Sequence, residues 1–142
     1  MTITLCETDE AIRDCYPVVV QLRPHLLAAE FVDRIRLQQR EGYRLAAVRD
    51  DFDRVTAAAG FRILTYLFRG RTLYVDDLVT DEKRRSEQFG HQLFQWLLAY
   101  AKSKGCEHLE LDSGVQRFDA HRFYLRERMA ITAHHFGIKV PQ

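Results

Sequence analysis

The sequence predicts an α/β fold in three layers: a mixed, mostly antiparallel sheet of about six or seven strands with helices on both faces. Residues 43–80 contain consecutive strand patterns separated by short turns, which is typical of an antiparallel meander. A strand, a long amphipathic helix and another strand follow over residues 73–111, and this order predicts a parallel strand pair. Two helical segments precede the meander, within residues 8–41.

Composition and charge restrict the classes of protein to which the chain can belong. Its 142 residues, 46% of them hydrophobic, predict one domain over residues 1–142 with a sizeable core. The formal net charge of +1 argues against nucleic acid or an anionic membrane surface as a partner. No stretch approaches the ~20 consecutive apolar residues that span a bilayer.

The N-terminus and the cysteines predict a cytoplasmic protein. The first residues lack the charged and apolar regions of a secretory signal. The three cysteines are an odd number without a Cys-x-x-Cys pair, which favours a reduced compartment. The six histidines are scattered, so we expect no metal site.

The elements before residue 80 follow from periodicity and end signals. Residues 2–6 resemble an edge strand, and Thr8 is positioned to cap a helix that Pro17 interrupts or restarts. A second helix spans residues 28–41 and ends at Gly42. Strands follow at 43–49, 57–68 and 73–80, and Gly60 marks either a bulge or a weak point in the long middle one.

The turn at residues 81–90 has the features of an anion-binding segment. It contains Lys83, Arg84 and Arg85, and it leads directly into the helix at 88–103. The first N–H groups of a helix have no intrahelical acceptor, and the helix dipole places partial positive charge there. Gly90 removes a side chain where a phosphate would approach the backbone. The same residues also fit a capped surface helix beside a solvated charge run.

Two motifs identify a family. Arg85-Ser86-Glu87-Gln88-Phe89-Gly90, with Leu93, resembles the pyrophosphate loop of the GNAT superfamily of acyl-CoA-dependent N-acyltransferases. The pattern of that loop is Gln/Arg-x-x-Gly-x-Gly/Ala, and in this chain Gln88 replaces the first glycine. The replacement implies either a slightly displaced loop or an additional contact made by the Gln88 side chain. After the strand at 106–111, Ala120-His121-Arg122-Phe123-Tyr124 resembles the second cofactor motif on its helix. That motif usually ends in Gly-Phe, where this chain has Arg128-Met129. Residues 131–140 are expected to add one or two final strands.

The resemblance implies acetyl-CoA as co-substrate and assigns residues to it. The expected cofactor-binding residues lie on the central strand, the basic loop and the last helix: Leu78, Val79, Arg84, Arg85, Ser86, Glu87, Gln88, Phe89, Gly90, His91 and Tyr124. A phenol of ordinary pKa ~10 is protonated at neutral pH, so Tyr124 is the expected general acid for the thiolate, although it could also merely position the thioester. Asp76 and Asp77 are candidate bases for the amine. They project to opposite faces of a regular strand, unless a bulge intervenes.

The function implied by the resemblance is transfer of an acetyl group to a primary amine. Direct attack in a ternary complex is expected, because no cysteine falls in either motif. The acceptor is expected to be a small molecule, and Arg23 and His25 either contact it or lie in a solvated loop. A homodimer is possible by analogy with the superfamily. The alternatives are a non-catalytic acyl-CoA-binding regulatory module on the same fold and a partner-binding domain whose basic turn meets an acidic protein.

Overall fold

The computed structural model describes residues 1–142, which divide into two compact units, 1–111 and 112–142. The first unit holds the five-stranded sheet, formed by β1 (Thr2–Leu5), β2 (Arg44–Arg49), β3 (Val55–Tyr66), β4 (Gly70–Thr80) and β5 (His108–Leu111). Strands β1 to β4 pair antiparallel in chain order, and β5 pairs parallel to β4. The mixed, mostly antiparallel sheet is confirmed, with fewer strands than expected.

The helices of the first unit cover both faces of the sheet, as predicted. They are α1 (Asp9–Asp14), α2 (Tyr16–Leu22), α3 (Ala28–Arg40) and α4 (Phe89–Ser103). Helices α1 to α3 pack on one face, where their apolar residues form a cluster with Leu45 and Ala47. Helix α4 packs on the other face, in a cluster that contains Ala46 and Val48. Neighbouring residues of β2 therefore serve opposite cores, as the period of two in a strand requires.

Local signals place the helix ends where they were expected. The Thr8 hydroxyl accepts a hydrogen bond from the Ala11 backbone N–H at 3.1 Å and caps α1. Pro17 lies in the first turn of α2, where a missing N–H leaves no helical hydrogen bond unmade, and so the chain restarts a helix after Cys15. None of the helices combines the length and the apolarity that crossing a bilayer requires.

The second unit contains one helix, α5 (Phe118–Arg126), and no strand. The expectation of one or two strands at 131–140 is wrong: these residues have no regular secondary structure and are exposed. Apolar alternation gives a segment strand propensity, but a strand exists only where a neighbour supplies hydrogen bonds for its backbone. Whether residues 1–142 fold as a single domain stays a prediction.

Candidate functional site

The basic loop folds as a 3₁₀ helix, Glu82–Glu87, between β4 and α4. The Asp81 carboxylate caps it by accepting a hydrogen bond from the Lys83 backbone N–H at 3.1 Å. Helix α4 then begins at Phe89 without any side chain that caps it. The start of α4 therefore presents backbone donors that no side chain has taken, together with the positive end of the helix dipole.

Both departures from the family motifs keep the backbone conformation that favours glycine. Gln88 has a φ of 69° and Arg128 a φ of 68°. L-residues with side chains rarely adopt this left-handed region, and glycine enters it readily. The family pattern has glycine at both positions. The chain therefore keeps the left-handed backbone conformation of the two turns, although the glycines that adopt it at little steric cost are replaced.

The Arg84 side chain contacts other residues of the protein. Its guanidinium donates to the Asp50 carboxylate at 2.9 Å, pairs with Glu87, and lies 5.1 Å from the centre of the Phe89 ring. The Asp50 side chain is only 6% exposed and also accepts from the N–H groups of Phe52 and Arg54. The Arg84 guanidinium, followed by these backbone donors, holds the pKa of Asp50 well below its usual range. Arg84 therefore anchors the loop to the turn between β2 and β3.

The remaining predicted loop residues stay close to the start of α4. Arg85, Ser86, Glu87, Gln88 and His91 are exposed, whereas Phe89 and Gly90 are half-buried. Lys83 and Arg85 form no ion pair. These two side chains are thus the cations of the loop that are available to an anion, because the charge of Arg84 is balanced by carboxylates.

Strand β4 extends beyond its parallel neighbour β5. The last paired residues are Val75 on β4 and Leu111 on β5, and β4 continues to Thr80. Residues 76–80 therefore lack a strand partner on the β5 side of the sheet. The side chains of Leu78 and Val79 pack into opposite cores, so only their backbone groups are available on that edge.

A bulge in β4 turns both candidate carboxylates to one face of the sheet. Gly60 pairs with Asp77 and Phe61 pairs with Val75, so Asp76 is the extra residue. Asp76 and Asp77 consequently both contact residues on the face covered by α1 to α3, whereas a regular strand would have separated them.

Asp77 is held by two donors. Its Oδ1 accepts from the Arg23 Nε at 2.9 Å, and its Oδ2 accepts from the Tyr43 hydroxyl at 2.9 Å. Arg23 also donates to the Asp76 carbonyl oxygen at 3.1 Å, which ties the end of α2 to the bulge. Burial, and then the adjacent Asp77 carboxylate, raises the pKa of Tyr43 well above its usual value. Tyr43 is therefore a neutral hydroxyl that donates to the Asp77 side chain.

Asp76 is held by a single arginine. The Arg62 Nη2 donates to its Oδ2 at 2.6 Å, and the Arg62 Nε contacts both carboxylate oxygens at 3.2 and 3.1 Å. Arg62 also donates to the Gln38 side chain on α3 and lies over the Tyr43 ring at 5.7 Å. Asp76 therefore has its charge balanced within the sheet.

The sequence pattern indicated the carboxylates Asp76 and Asp77 but not the side chains that bind them, and it did not indicate the partner of Arg84. Tyr43, Arg62 and Asp50 lie far from both motifs in the chain, and no spacing rule connects them to β4 or to the loop. Arg23, a candidate acceptor contact, has Asp77 and the Asp76 backbone as its partners. His25 is exposed. Tyr124 lies on α5, half-buried, with its ring 5.7 Å from that of Phe123.

Comparison with known proteins places this geometry in a family. Residues 6–129 match the model of the acetyltransferase (GNAT) family. The N-acetyltransferase YhdJ of Bacillus subtilis, itself uncharacterised, is 30% identical over 129 residues, which are 90% of this chain and 89% of that protein. An aminoalkylphosphonate N-acetyltransferase of Salmonella typhimurium is 42% identical over 53 residues, which are 37% of this chain and 34% of that protein.

A solved structure supports the same fold. The ribosomal-protein-alanine N-acetyltransferase of Brucella melitensis superposes with a TM-score of 0.83 over 99% of this chain and 100% of its own, at 17% identity. The family match covers most of the chain and includes both motifs and the central strand. The chain therefore belongs to the acetyltransferase (GNAT) family and is an N-acyltransferase.

Proposed function

We propose that this enzyme transfers the acetyl group of acetyl-CoA to a small primary amine by direct attack in a ternary complex. The observation that carries the proposal is the juxtaposition of an uncapped helix start with the unpaired end of β4. The co-substrate supplies an activated acetyl group on a thioester. The steps that the chain itself must provide are anion binding, alignment of the thioester, and proton transfer.

The start of α4 fits an anionic pyrophosphate. Backbone N–H groups of residues 88–91 would donate to phosphate oxygens, and the helix dipole favours negative charge there. Arg85 and Lys83 add full charges on exposed side chains without ion-pair partners. Arg84 positions the loop and does not itself bind the anion, because its pairing with Asp50 keeps the loop against the turn between β2 and β3.

The unpaired edge of β4 fits an extended, amide-containing chain. Backbone groups of residues 76–80 on the β5 side can pair with the pantetheine amides as an added strand would. A backbone N–H at Leu78 or Val79 would then donate to the thioester carbonyl oxygen, whose negative charge grows as the amine attacks.

Asp77 is the better of the two candidate bases. It accepts two hydrogen bonds, and a carboxylate has about four acceptor sites, so capacity remains for an amine or a bridging water. Asp76 accepts three contacts from Arg62 alone and is better suited to fixing the bulge. We therefore expect Asp77→Asn to alter the pH dependence of the acetylation rate, and Asp76→Asn chiefly to lower stability.

Tyr124 is proposed as the general acid that protonates the leaving thiolate. Removal of a general acid typically costs about 10²- to 10⁴-fold in rate. Tyr124→Phe should lower kcat by such a factor and leave the affinity for acetyl-CoA nearly unchanged. Tyr66→Phe removes a phenol from β3 and serves as a control that should keep full activity.

A small acceptor is supported by a relative and by the charges of the bulge. The Salmonella relative is named for aminoalkylphosphonates, which are small amines. The bulge itself pairs two carboxylates with two arginines, Arg23 and Arg62, and so carries no excess negative charge for a polycationic acceptor. A cytoplasmic location and a homodimer belong to the same proposal. The exposed apolar residues between 131 and 140 support the dimer.

The first experiment is calorimetric titration with acetyl-CoA. The unaltered protein should bind saturably, and Arg85→Glu should weaken binding at least tenfold by reversing a charge beside the pyrophosphate. Lys102→Glu makes the same charge change near the other end of α4 and should bind normally. Absence of binding to the unaltered protein contradicts the proposal. Binding without acetylation of any amine in a broad panel, with no effect of Tyr124→Phe, would instead indicate a regulatory module.

A further inference from the structure

Cys6 and Cys15 form a buried thiol pair that the acetyl transfer does not use. Cys6 follows β1, and Cys15 joins α1 to α2. Their sulfur atoms are 3.6 Å apart, and the two residues are 3% and 0% exposed. Both are free thiols. The third cysteine, Cys106, is more exposed and provides an internal comparison.

The contact between the two thiols makes them chemically unequal. The contact with Cys15 lowers the pKa of Cys6, whereas the same contact and burial raise the pKa of Cys15. The thiolate is the nucleophilic form of cysteine, so Cys6 is the more reactive partner. Cys15, which stays protonated beside it, has the position of a resolving thiol.

A cleft borders one member of the pair, Cys6. It has a volume of about 270 Å³, and Cys6 lies in its wall together with Arg36, Arg44 and Tyr43. A water molecule occupies about 30 Å³, so a molecule as small as hydrogen peroxide fits with room to spare. Cys6 therefore borders a cleft that is large enough for a small oxidant, although only 3% of the residue is exposed.

We propose that Cys6 and Cys15 are a reversible oxidation site that reacts with a small peroxide and ends as an intramolecular disulfide. The Cys6 thiolate attacks one peroxide oxygen. A sulfur–oxygen bond forms, the oxygen–oxygen bond breaks, and the departing hydroxide takes up a proton to leave as water. Cys6 is then a sulfenic acid.

The second step closes the disulfide. The Cys15 sulfur attacks the Cys6 sulfur, the sulfur–sulfur bond forms, and the sulfur–oxygen bond breaks as hydroxide leaves with the Cys15 proton as a second water. In total two thiols lose two electrons to one peroxide. Because a disulfide bond is ~2.05 Å long, the sulfurs must approach by roughly 1.5 Å.

The test is a count of free thiols after exposure of the native protein to hydrogen peroxide. The peroxide is removed with catalase, and the protein is unfolded and alkylated with N-ethylmaleimide. The reduced chain should take three labels, one for each cysteine. The oxidised chain should take one label, at Cys106, and should lose the mass of two hydrogen atoms. Peptide mapping should find Cys6 linked to Cys15, and dithiothreitol should restore all labels.

Variants separate the steps. Cys106→Ser should fall from two labels to none without forming linked chains. Cys15→Ser should accumulate a sulfenic acid at Cys6 that dimedone traps. The proposal is wrong if Cys6 and Cys15 both stay alkylatable after Cys106 has been oxidised, or if Cys6 links only to another chain. Should Cys15→Ser not fold, the unaltered protein and Cys106→Ser still decide the matter, and neither result depends on acetyltransferase activity.

Discussion

At the scale of single residues, Gly60 is required by a neighbour on the adjacent strand. A Cβ atom at this position would lie 1.7 Å from the Tyr43 hydroxyl oxygen and 2.1 Å from the carbon that carries it. The Tyr43 side chain crosses this point to reach Asp77 at the bulge. The glycine thus leaves room for the hydrogen bond that orients Asp77, which links β3 packing to the proposed amine end of the site.

Gly60→Ala should therefore destabilise the protein strongly, by about 3 kcal/mol, because the added Cβ would displace the buried Tyr43 side chain. In a Tyr43→Ala background the ring is absent, and the same substitution should cost less than ~1 kcal/mol. Urea unfolding of the four proteins gives the coupling energy directly. Gly137→Ala, which meets no atom within 4 Å, is the matched neutral substitution. Equal costs of Gly60→Ala in both backgrounds would contradict this account.

Gln88 is strained by its left-handed backbone, so Gln88→Gly should stabilise the protein. The left-handed conformation costs a residue with a side chain roughly 1–2 kcal/mol, and the greater freedom of unfolded glycine returns part of this. We expect a net gain of up to ~1 kcal/mol in the free energy of unfolding. Ala99→Gly, at an exposed position inside α4, should instead lose about 1 kcal/mol. A loss at Gln88 equal to that at Ala99 would show that no strain is stored there.

At the scale of elements, the 3₁₀ helix depends on a turn distant in sequence. Asp50, in the turn between β2 and β3, accepts from Arg84 and from two backbone N–H groups. This single carboxylate fixes both the turn and the loop that precedes α4. Because folding lowers the pKa of the Asp50 carboxyl, we expect the contacts that hold the loop to weaken at acid pH.

The sign of this effect can be measured. A carboxyl group with a depressed folded-state pKa contributes stability above its ordinary value of 3.8, and that contribution is lost as the pH falls below it. Asp50→Asn should be less stable than the unaltered protein near neutral pH, and the difference should shrink below about pH 4. Urea unfolding from about pH 7 to about pH 3 checks this. Asp33→Asn, at an exposed position on α3, should track the unaltered protein throughout. A pH-independent difference for Asp50→Asn would refute the linkage.

At the scale of the whole molecule, the last residues of the chain expose apolar side chains to water. Ile131, Phe136, Ile138 and Val140 are 81%, 91%, 90% and 71% exposed. Contiguous exposed apolar surface usually marks an interaction site. In the proposed homodimer these side chains would be covered and so removed from water.

Truncation tests this assembly. We expect the full chain to have twice its 16.7 kDa mass in light scattering at micromolar concentration, and a chain that ends at Met129 to be a monomer. Phe136→Asp, with Lys139→Asp as a control at a polar position of the same segment, should also dissociate the dimer. A monomeric 142-residue chain contradicts the homodimer, and a dimeric truncated chain places its contact elsewhere.

Much of this protein follows from local patterns. The strand and helix order up to residue 126, the parallel pair and the loop before α4 are encoded by periodicity, caps and turn residues that lie close together in the chain. The failure at residues 131–140 has the same origin, since a local pattern reports propensity and not the presence of a partner strand. The candidate cofactor residues on the loop could be named because they are consecutive.

The sequence by itself indicated the family, the layered sheet and the helix start that we propose to bind an anion, because each is recorded in patterns of residues that lie close together in the chain. Only the tertiary structure decided which charges are available. In the folded chain Arg84 pairs with Asp50, and Asp77 accepts hydrogen bonds from Arg23 and Tyr43. A bulge opposite Gly60 places Asp76 on the same face of the sheet as Asp77. The tertiary structure also brought Cys6 to 3.6 Å from Cys15. These contacts join segments far apart in the chain, and their geometry is set by packing between elements, which no local pattern records.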